Sequence, residues 1–351
     1  MNNTTPHRID EYDVAKGIGI LLVVVGHALP QDSLLRVFIY SFHMPLFFLV
    51  SGLVMKEFNT KITMAELWKQ DKRLIFNYLF WTIMYWLYDC ISCMIGIKKA
   101  SITFLALEIY QGVTLFGVSV LWFLSTLLLG KWLVIFICDN LKTPLNRIIA
   151  SCVLYIIGSI FAIMLPNGLT VSGGARIIYY PLCTVLRTLI MSSFIMMGYA
   201  IRAYAKIFIQ KGNIVVVGGM TLVSFFLVSL LYRYTKGVDF HFSMVDFFPV
   251  TFMAGISGSM FALCVSILVS KLNILRSILL FFGKNSLFIM ATHEYFGIKQ
   301  LLANALNLMG LEFSEVLNIV VNLFLLLMLE IILIRLIKPS TDRIINSVIK
   351  R

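Results

Sequence analysis

The sequence has little charge, and this shortage excludes most water-soluble proteins. Only 13% of its 351 residues are Asp, Glu, Lys or Arg, whereas 60% are hydrophobic. A soluble domain has about 25% charged and about 45–50% apolar residues. The apolar runs between the charges reach the roughly 20 residues that a helix needs to cross a bilayer. We therefore interpret the chain as a membrane protein.

Cysteine is also scarce, and its placement gives no reason to expect a metal site. The six cysteines lie mostly within apolar runs, where a thiol behaves as a small apolar group. Cys90 and Cys93 have C-x2-C spacing, but no second pair accompanies them. A structural zinc site needs four ligands, so we expect no metal.

The apolar runs predict an all-α fold, because backbone groups in lipid must be paired within the segment. The spans are predicted at residues 13–31, 36–55, 74–95, 118–138, 147–165, 183–201, 213–232, 246–270, 277–298 and 315–337. Lys and Arg cluster in alternate loops, which places both termini in the cytoplasm. The net charge of +12 is thereby assigned to topology and not to nucleic acid binding. We predict a polytopic integral membrane protein of about ten transmembrane helices, with one domain over residues 1–351.

Histidine is rare, and three of the five histidines fall near the outer ends of predicted spans. His27 lies in the first span, His43 in the second and His293 in the ninth. The predicted threading puts all three at a similar membrane depth. Ionisable side chains in lipid are costly and usually face a polar cavity, so these three are candidate functional residues. His7 and His241 lie outside the spans and are interpreted as incidental.

Lys16 precedes His27 by eleven residues in the first span. At 100° per residue the two side chains lie within about 20° of one helix face, and about 16 Å apart along it. Asp13 lies one turn before Lys16 and can pair with it. Two interpretations stay open: a functional pair on one face, or a lysine that reaches the interface and a histidine that ends a helix.

Pro45 interrupts the second span and has two interpretations. A proline inside a helix removes a backbone hydrogen bond and would free the carbonyl of Ser41. In lipid that carbonyl needs a partner or a water-lined cavity, which would suggest a polar pocket beside His43. Alternatively, Pro45 starts a shorter helix.

This layout suits acyl transfer from a thioester. A neutral imidazole can take a proton from an attacking hydroxyl near neutral pH. The phosphates of an acyl-CoA donor require cations, and Lys16, Lys72 and Arg73 lie towards the predicted cytoplasmic side. The layout permits a donor that enters from inside and a reaction near the outer face.

Five motifs follow one another along the chain. RIDEYDVAKGIGILLVVVGH and FHMPLFFLVSG come first, and KRLIFNYLFWT, LWFLSTLLL and GKNSLFIMATH follow up to His293. This ordered set resembles the membrane acyltransferase-3 family, especially its fucose 4-O-acetylase-like branch, with Lys16 where the family more often has arginine. In the last motif, Met-Ala-Thr replaces the usual Tyr-Leu before the histidine.

The resemblance implies an integral membrane acyltransferase that moves acyl groups from acyl-CoA to glycan or lipid acceptors. It makes His27 the catalytic base and Lys16 an essential positioning cation. His43 would line the same pocket, and His293 is the late histidine of the pattern. The CoA phosphates are assigned to Lys16, Lys72 and Arg73.

The acceptor is assigned to residues near the predicted outer face. The loop 232–249 mixes aromatic residues with Asp239, His241 and Asp246. This mixture suits a sugar face, although interfacial aromatic belts have a similar composition. Two arginines could meet an anionic lipid-linked sugar, and a tryptophan stands in the Trp-Phe-Leu motif. The candidate acceptor-binding residues are Trp122, Arg176, Arg187 and Asp239.

We therefore predict an O-acetyltransferase of a bacterial plasma membrane. Acetyl-CoA is the expected donor, a cell-surface glycan or its lipid-linked precursor is the expected acceptor, and membrane lipid is the expected surrounding. One alternative is a multi-pass transporter or flippase of an envelope precursor, which inverted repeats would support; no obvious repeat is visible. A second alternative is a subunit that channels the acyl group to a separate enzyme.

Overall fold

The computed structural model describes residues 9–56, 63–98, 101–245, 247–308 and 314–350. These residues form no β-strand, and the protein is 81% helical. The helices are α1 (Asp10–Ala28), α2 (Leu34–Tyr40), α3 (His43–Leu53), α4 (Met64–Met94), α5 (Ile102–Val113), α6 (Trp122–Cys138), α7 (Pro144–Ile163), α8 (Ala175–Lys211), α9 (Ile214–Leu231), α10 (Phe248–Val269), α11 (Asn273–Lys284), α12 (Ser286–Thr292), α13 (Ile298–Leu308), α14 (Glu315–Leu336) and α15 (Lys338–Lys350). Short 3₁₀ turns lie at Ser119–Leu121 and Tyr232–Tyr234.

Within the described part of the chain, seven helical stretches are long and apolar enough to cross a membrane. The pair α11 and α12 would make an eighth if it is one bent span. α1 and α4, with 19 and 31 residues, occupy the positions of the predicted first and third spans without being among the seven. The all-α, polytopic membrane class is confirmed. The number of ten spans and the cytoplasmic position of the termini stay predictions.

Two predicted spans are broken, each beside a candidate histidine. In the second span α2 ends at Tyr40 and α3 begins at His43. Pro45 is the third residue of α3, where a missing N–H removes no bond within the helix. A shorter helix is therefore present as in the second interpretation, but it begins at His43 and not at Pro45. In the ninth span α11 and α12 are bent by 61° around Asn285. His293 follows directly after the end of α12.

Several helix starts follow from capping residues in the sequence. Thr63 and Glu66 form a reciprocal capping box at the start of α4. At α7 the side chain of Thr143 accepts a hydrogen bond from the backbone N–H of Asn146, and Pro144 occupies the first turn. Such contacts satisfy N–H groups that have no partner within the helix.

α1 is held against α11 by a close approach of the two backbones. A Cβ at Gly17 would collide with the carbonyl oxygen of Leu279, and one at Gly283 would collide with that of Asp13. Small residues allow such approach between membrane helices, where dispersion contacts replace the hydrophobic effect. α1 also packs against α3 and α10. These contacts fix the helix whose last turn carries His27.

Candidate active site

A cavity of about 230 Å³ lies at the end of α1 that carries His27. Helices α1, α2 and α3, the 3₁₀ turn Ser119–Leu121 with the start of α6, the loop before α10, and α12 with the turn after it line this cavity. Its polar and aromatic lining residues include His27, Arg36, Tyr40, His43, Trp122, Asp239, His241 and Glu294. Four of the predicted site residues, His27, His43, Trp122 and Asp239, are therefore brought together. We call this space the histidine cavity.

The three histidines predicted at one membrane depth also converge laterally. The ring centroids of His27 and His293 are 5.3 Å apart. Tyr40 links the other pair, with its ring centroid 6.0 Å from that of His27 and 4.7 Å from that of His43. Their common membrane depth is a prediction from hydropathy, whereas their proximity follows from helix packing in the structure.

His27 is paired with a carboxylate that the sequence pattern left without a role. Its Nδ1 contacts Oε2 of Glu294 in the turn after α12. An ionised carboxylate only accepts hydrogen bonds, so in the neutral imidazole Nδ1 carries the hydrogen and Nε2 keeps its lone pair. A base oriented by a carboxylate at its other nitrogen is the arrangement of hydrolytic triads.

The other two histidines have the same tautomer. Nδ1 of His43 donates to the carbonyl of Ile39 at 3.0 Å, and Nδ1 of His293 donates to that of Ile289 at 2.9 Å. Nε2 is then the acceptor nitrogen in each neutral ring. Nε2 of His293 is buried without a hydrogen-bond partner in the described part of the chain, 3.7 Å from Oε2 of Glu294. The cluster is therefore rich in groups that can accept a proton.

The charge balance keeps Glu294 ionised. Nζ of Lys299 lies 3.9 Å from Oε1 of Glu294 and donates to the carbonyl of His27 at 3.2 Å. Burial raises the pKa of the Glu294 carboxyl, but the hydrogen bond from His27 and the charges of His27 and Lys299 outweigh it and lower this pKa to about 2. Burial also lowers the pKa of Lys299, and the negative charge of Glu294 opposes this shift. A negative charge therefore faces His27 at neutral pH.

The opposite wall is built from Trp122 and the loop that carries His241. Their rings are stacked with centroids 5.9 Å apart. Arg187 holds this wall from behind: it is fully buried and donates to the carbonyls of His241 at 2.8 Å and Phe116 at 2.9 Å. Arg187 does not line the histidine cavity. Its predicted contact with the acceptor stays a prediction, and its visible contacts are with the wall.

Two ionisable residues on this wall have shifted pKa values. Burial raises the pKa of Asp239, against hydrogen bonds from the backbone N–H groups of His241 and Phe242. Burial, followed by the charge of Arg187, holds the pKa of His241 well below its usual range. His241, which the sequence left as incidental, thus lines the cavity as a neutral ring. His7 and Asp246 lie outside the described residues.

Lys16 and Arg176 lie away from the histidine cavity. Lys16 is in the second turn of α1, with its Nζ 3.4 Å from Oδ1 of Asp13; the local pairing is as predicted. Nε of Arg176 donates to the carbonyl of Val171 at 3.0 Å. Their roles towards donor and acceptor stay predictions.

Lys72 and Arg73 contact the C-terminal helix. Nζ of Lys72 donates to the carbonyl of Ile349 at 3.2 Å, and Nη2 of Arg73 lies 3.0 Å from Oδ1 of Asp342. Both contacts tie the start of α4 to α15. A donor phosphate at these two cations would have to compete with α15.

A metal ion has one conceivable set of ligands in the described part of the chain. The ligand atoms of His27, His293 and Glu294 lie within 4.8 Å of one another. Two imidazoles and a carboxylate are a donor set that zinc accepts. Binding by Nδ1 of His27 would require its contact with Glu294 to be broken. The expectation of no metal stays a prediction.

Glu294, Arg36 and Tyr40 line the cavity but were not among the predicted site residues. The signal for Glu294 was its place directly after His293 at the end of an apolar run. Arg36 lies over the ring of Tyr40, 4.7 Å from its centroid. These two residues belong to the short helix α2, which was read as the continuous start of a span.

Comparison with known proteins adds one finding. A family model described as an acyltransferase domain matches residues 9–335. No curated protein and no solved structure is similar enough to the chain to be matched. The matched range contains every candidate site residue named above, but it does not resolve the branch within the family.

Proposed function

Because the chain belongs to the membrane acyltransferase-3 family, we propose that it is an O-acetyltransferase of the bacterial plasma membrane. The family supports a multi-pass membrane acyltransferase. Our proposal adds acetyl-CoA as the donor, a cell-surface glycan or its lipid-linked precursor as the acceptor, and membership of the fucose 4-O-acetylase-like branch. The observation that carries it is the pairing of His27 with Glu294 in the histidine cavity.

The proposed reaction uses His27 as a general base. Nε2 takes the proton of the acceptor hydroxyl while its oxygen forms a bond to the thioester carbonyl carbon. The carbon–sulfur bond then breaks, and the imidazolium returns the proton to the CoA thiolate. Glu294 stabilises the imidazolium through Nδ1, as the carboxylate does in a triad. Such proton transfer contributes about 10²–10⁴-fold to the rate of a reaction.

The substrates are assigned to opposite ends of α1. Lys16, Lys72 and Arg73 would hold the CoA phosphates, with Lys72 and Arg73 exchanging their contacts with α15 for the donor. At the other end, the ring of Trp122 and the carboxyl of Asp239 line the cavity and suit a sugar that offers both an apolar face and hydroxyls. His43 belongs to the polar lining, and His293 lies next to the base, with its ring centroid 5.3 Å from that of His27. Arg176 and Arg187 remain candidates for contacts with an anionic acceptor.

The test follows the acetyl group from donor to acceptor. Purified protein in lipid nanodiscs is given acetyl-labelled acetyl-CoA and an extract of envelope lipids and glycans. Released CoA is quantified by chromatography, because thiol reagents would also detect the partly exposed free cysteines of the protein. We expect label in the extract and CoA in equal amounts. Lys16→Ala should raise the KM for acetyl-CoA, whereas Lys206→Ala, at an exposed position of α8, should not.

The outcomes separate the three functions. Protein that is folded but neither binds nor consumes acetyl-CoA contradicts the acyltransferase and favours a transporter or flippase. Label that reaches the extract only when a second membrane protein is added favours an acyl-channelling subunit. Label on the acceptor with purified protein alone supports the proposal.

A further inference from the structure

A second cluster of ionisable residues lies beside the turn 293–297, apart from the lining of the histidine cavity. The hydroxyl of Tyr295 is 2.9 Å from Oδ2 of Asp89 and 2.6 Å from Oε1 of Glu108. Both carboxyls are buried: Asp89 exposes 1% of its surface and Glu108 exposes 5%. Lys98 forms an ion pair with Asp89. None of these four side chains takes part in the proposed reaction.

The hydroxyl of Tyr295 is placed to donate to both carboxyls. It has one hydrogen, so it donates fully to one carboxyl at a time. Lys98 forms its ion pair with Asp89 and not with Glu108. Burial, with the nearby Asp89, raises the pKa of Glu108 to about 7, and Oε2 of Glu108 is buried without a partner in the described residues. Two buried acids are thus joined through one hydroxyl.

This cluster holds the turn that carries Glu294. The ring of Tyr295 stacks on that of Tyr85, with centroids 3.7 Å apart and planes 3° from parallel. The hydroxyl of Tyr85 donates to the carbonyl of Ala291 at 2.6 Å. The chain is therefore fastened to α4 on both sides of His293 and Glu294. A shift of about 1 Å at the turn is enough to break a hydrogen bond from His27 to Glu294.

We propose that Tyr295 is a positioning residue: its hydroxyl, held between Asp89 and Glu108, fixes the turn so that Glu294 stays on His27. The kinetic test of this inference rests on the proposed function, whereas the chemical test does not. It assigns a role to a buried polar cluster on α4 and α5 that does not touch the substrates.

The matched variants are Tyr295→Phe and Tyr78→Phe. Tyr295→Phe keeps the stacking on Tyr85 and removes only the hydroxyl. Tyr78 also bridges α4 and α5, with its hydroxyl 2.8 Å from the carbonyl of Gly112, but it does not contact the turn. We expect Tyr295→Phe to lower kcat/KM for acetyl transfer about tenfold, which corresponds to about 1.4 kcal/mol. Tyr78→Phe loses a buried hydrogen bond between the same two helices but leaves the turn in place, so it should change kcat/KM by about twofold or less, or about 0.4 kcal/mol.

A double-mutant cycle distinguishes positioning from a general loss of structure. If Tyr295 acts through Glu294, then Tyr295→Phe produces no further loss in a Glu294→Gln background, because the two changes remove one interaction. Equal losses in both backgrounds would overturn the proposal. A Tyr295→Phe effect no larger than that of Tyr78→Phe would overturn it as well.

The chemical test needs no enzymatic activity. Diethyl pyrocarbonate modifies neutral imidazoles, and peptide mass spectrometry reports His27 separately from His43 and His293. A carboxylate that accepts from Nδ1 makes Nε2 a better nucleophile, so at an alkaline pH that keeps the imidazole neutral in every variant the rate of His27 modification should fall in both Glu294→Gln and Tyr295→Phe. If the protein shows no acetyl transfer, the proposed function fails, and this rate still decides the role of Tyr295. An unchanged His27 rate in Tyr295→Phe would overturn it.

Discussion

Replacing Glu294 by Gln removes the charge that faces His27 and nearly preserves the shape of the side chain. In the wild-type protein Oε2 of Glu294 is in ion-pair contact with Nδ1 of His27. In the proposed reaction the carboxylate sets the tautomer of the base through this contact and stabilises the imidazolium that forms. We expect kcat/KM for acetyl transfer to fall, with a smaller effect on the KM for acetyl-CoA.

The magnitude depends on how the new amide is oriented. Loss of a hydrogen bond to a charged group costs about 1.5–3 kcal/mol, which is a factor of about 10–150 in rate. If the NH₂ group of the introduced amide turns towards His27, Nδ1 must accept, and the hydrogen moves to Nε2. Nε2 can then no longer accept a proton, and the decrease in kcat/KM approaches the roughly 10⁴-fold decrease seen for a wrong tautomer.

The assay compares kcat/KM for CoA release with acceptor present, at neutral pH, in variants with equal thermal midpoints. Glu66→Gln, which changes the exposed capping residue of α4, is the control and should leave the rate unchanged. Glu294→Asp keeps the charge but shortens the side chain and should give an intermediate rate. A folded Glu294→Gln variant with the wild-type rate would refute the role of this carboxylate.

Three further predictions concern the cavity wall, helix packing and acid stability. The pKa of His241 is held well below its usual range in the folded protein. Below about pH 6.5 this side chain therefore takes up a proton only in the unfolded chain, and the free energy of unfolding falls by up to about 1.4 kcal/mol per pH unit. The thermal midpoint of His241→Asn should therefore drop less between pH 7.5 and 5.5 than that of the wild type, and equal drops would contradict this. Gly283→Ala, which collides with the carbonyl of Asp13, should destabilise the protein by about 1–3 kcal/mol, whereas Gly218→Ala, with open space around it, should not; equal thermal midpoints would count against the packing argument. Trp122→Leu should raise the KM for the acceptor and leave that for acetyl-CoA unchanged; a change confined to acetyl-CoA would contradict an acceptor role.

The sequence was sufficient for most of the apolar helices and for singling out the three histidines, whereas their membrane depth stays a prediction. Apolar runs of sufficient length depend only on local composition, so the described spans fall near their predicted positions. The local pairing of Lys16 with Asp13 was predictable for the same reason, since it needs only helical spacing. The short helix before His43 was one of two alternatives, because a proline near a helix start and one inside a helix look alike in sequence.

The contact between His27 and Glu294 could not be predicted in this way. It depends on the lateral packing of α1 on α11, where backbones meet at Gly17 and Gly283, and on the 61° bend before α12. Hydropathy carries no information on either. The cavity wall around His241 was missed for a related reason: it is fixed by the fully buried Arg187, which sequence alone suggested as a ligand for an acceptor.

The most direct test of the proposed mechanism is the rate of CoA release from acetyl-CoA, with acceptor extract, by the wild type and by His27→Ala at matched thermal midpoints. We expect the wild type to release CoA and His27→Ala to do so at least about 10²-fold more slowly, the contribution of a general base. Release at the wild-type rate by folded His27→Ala would show that His27 is not the base.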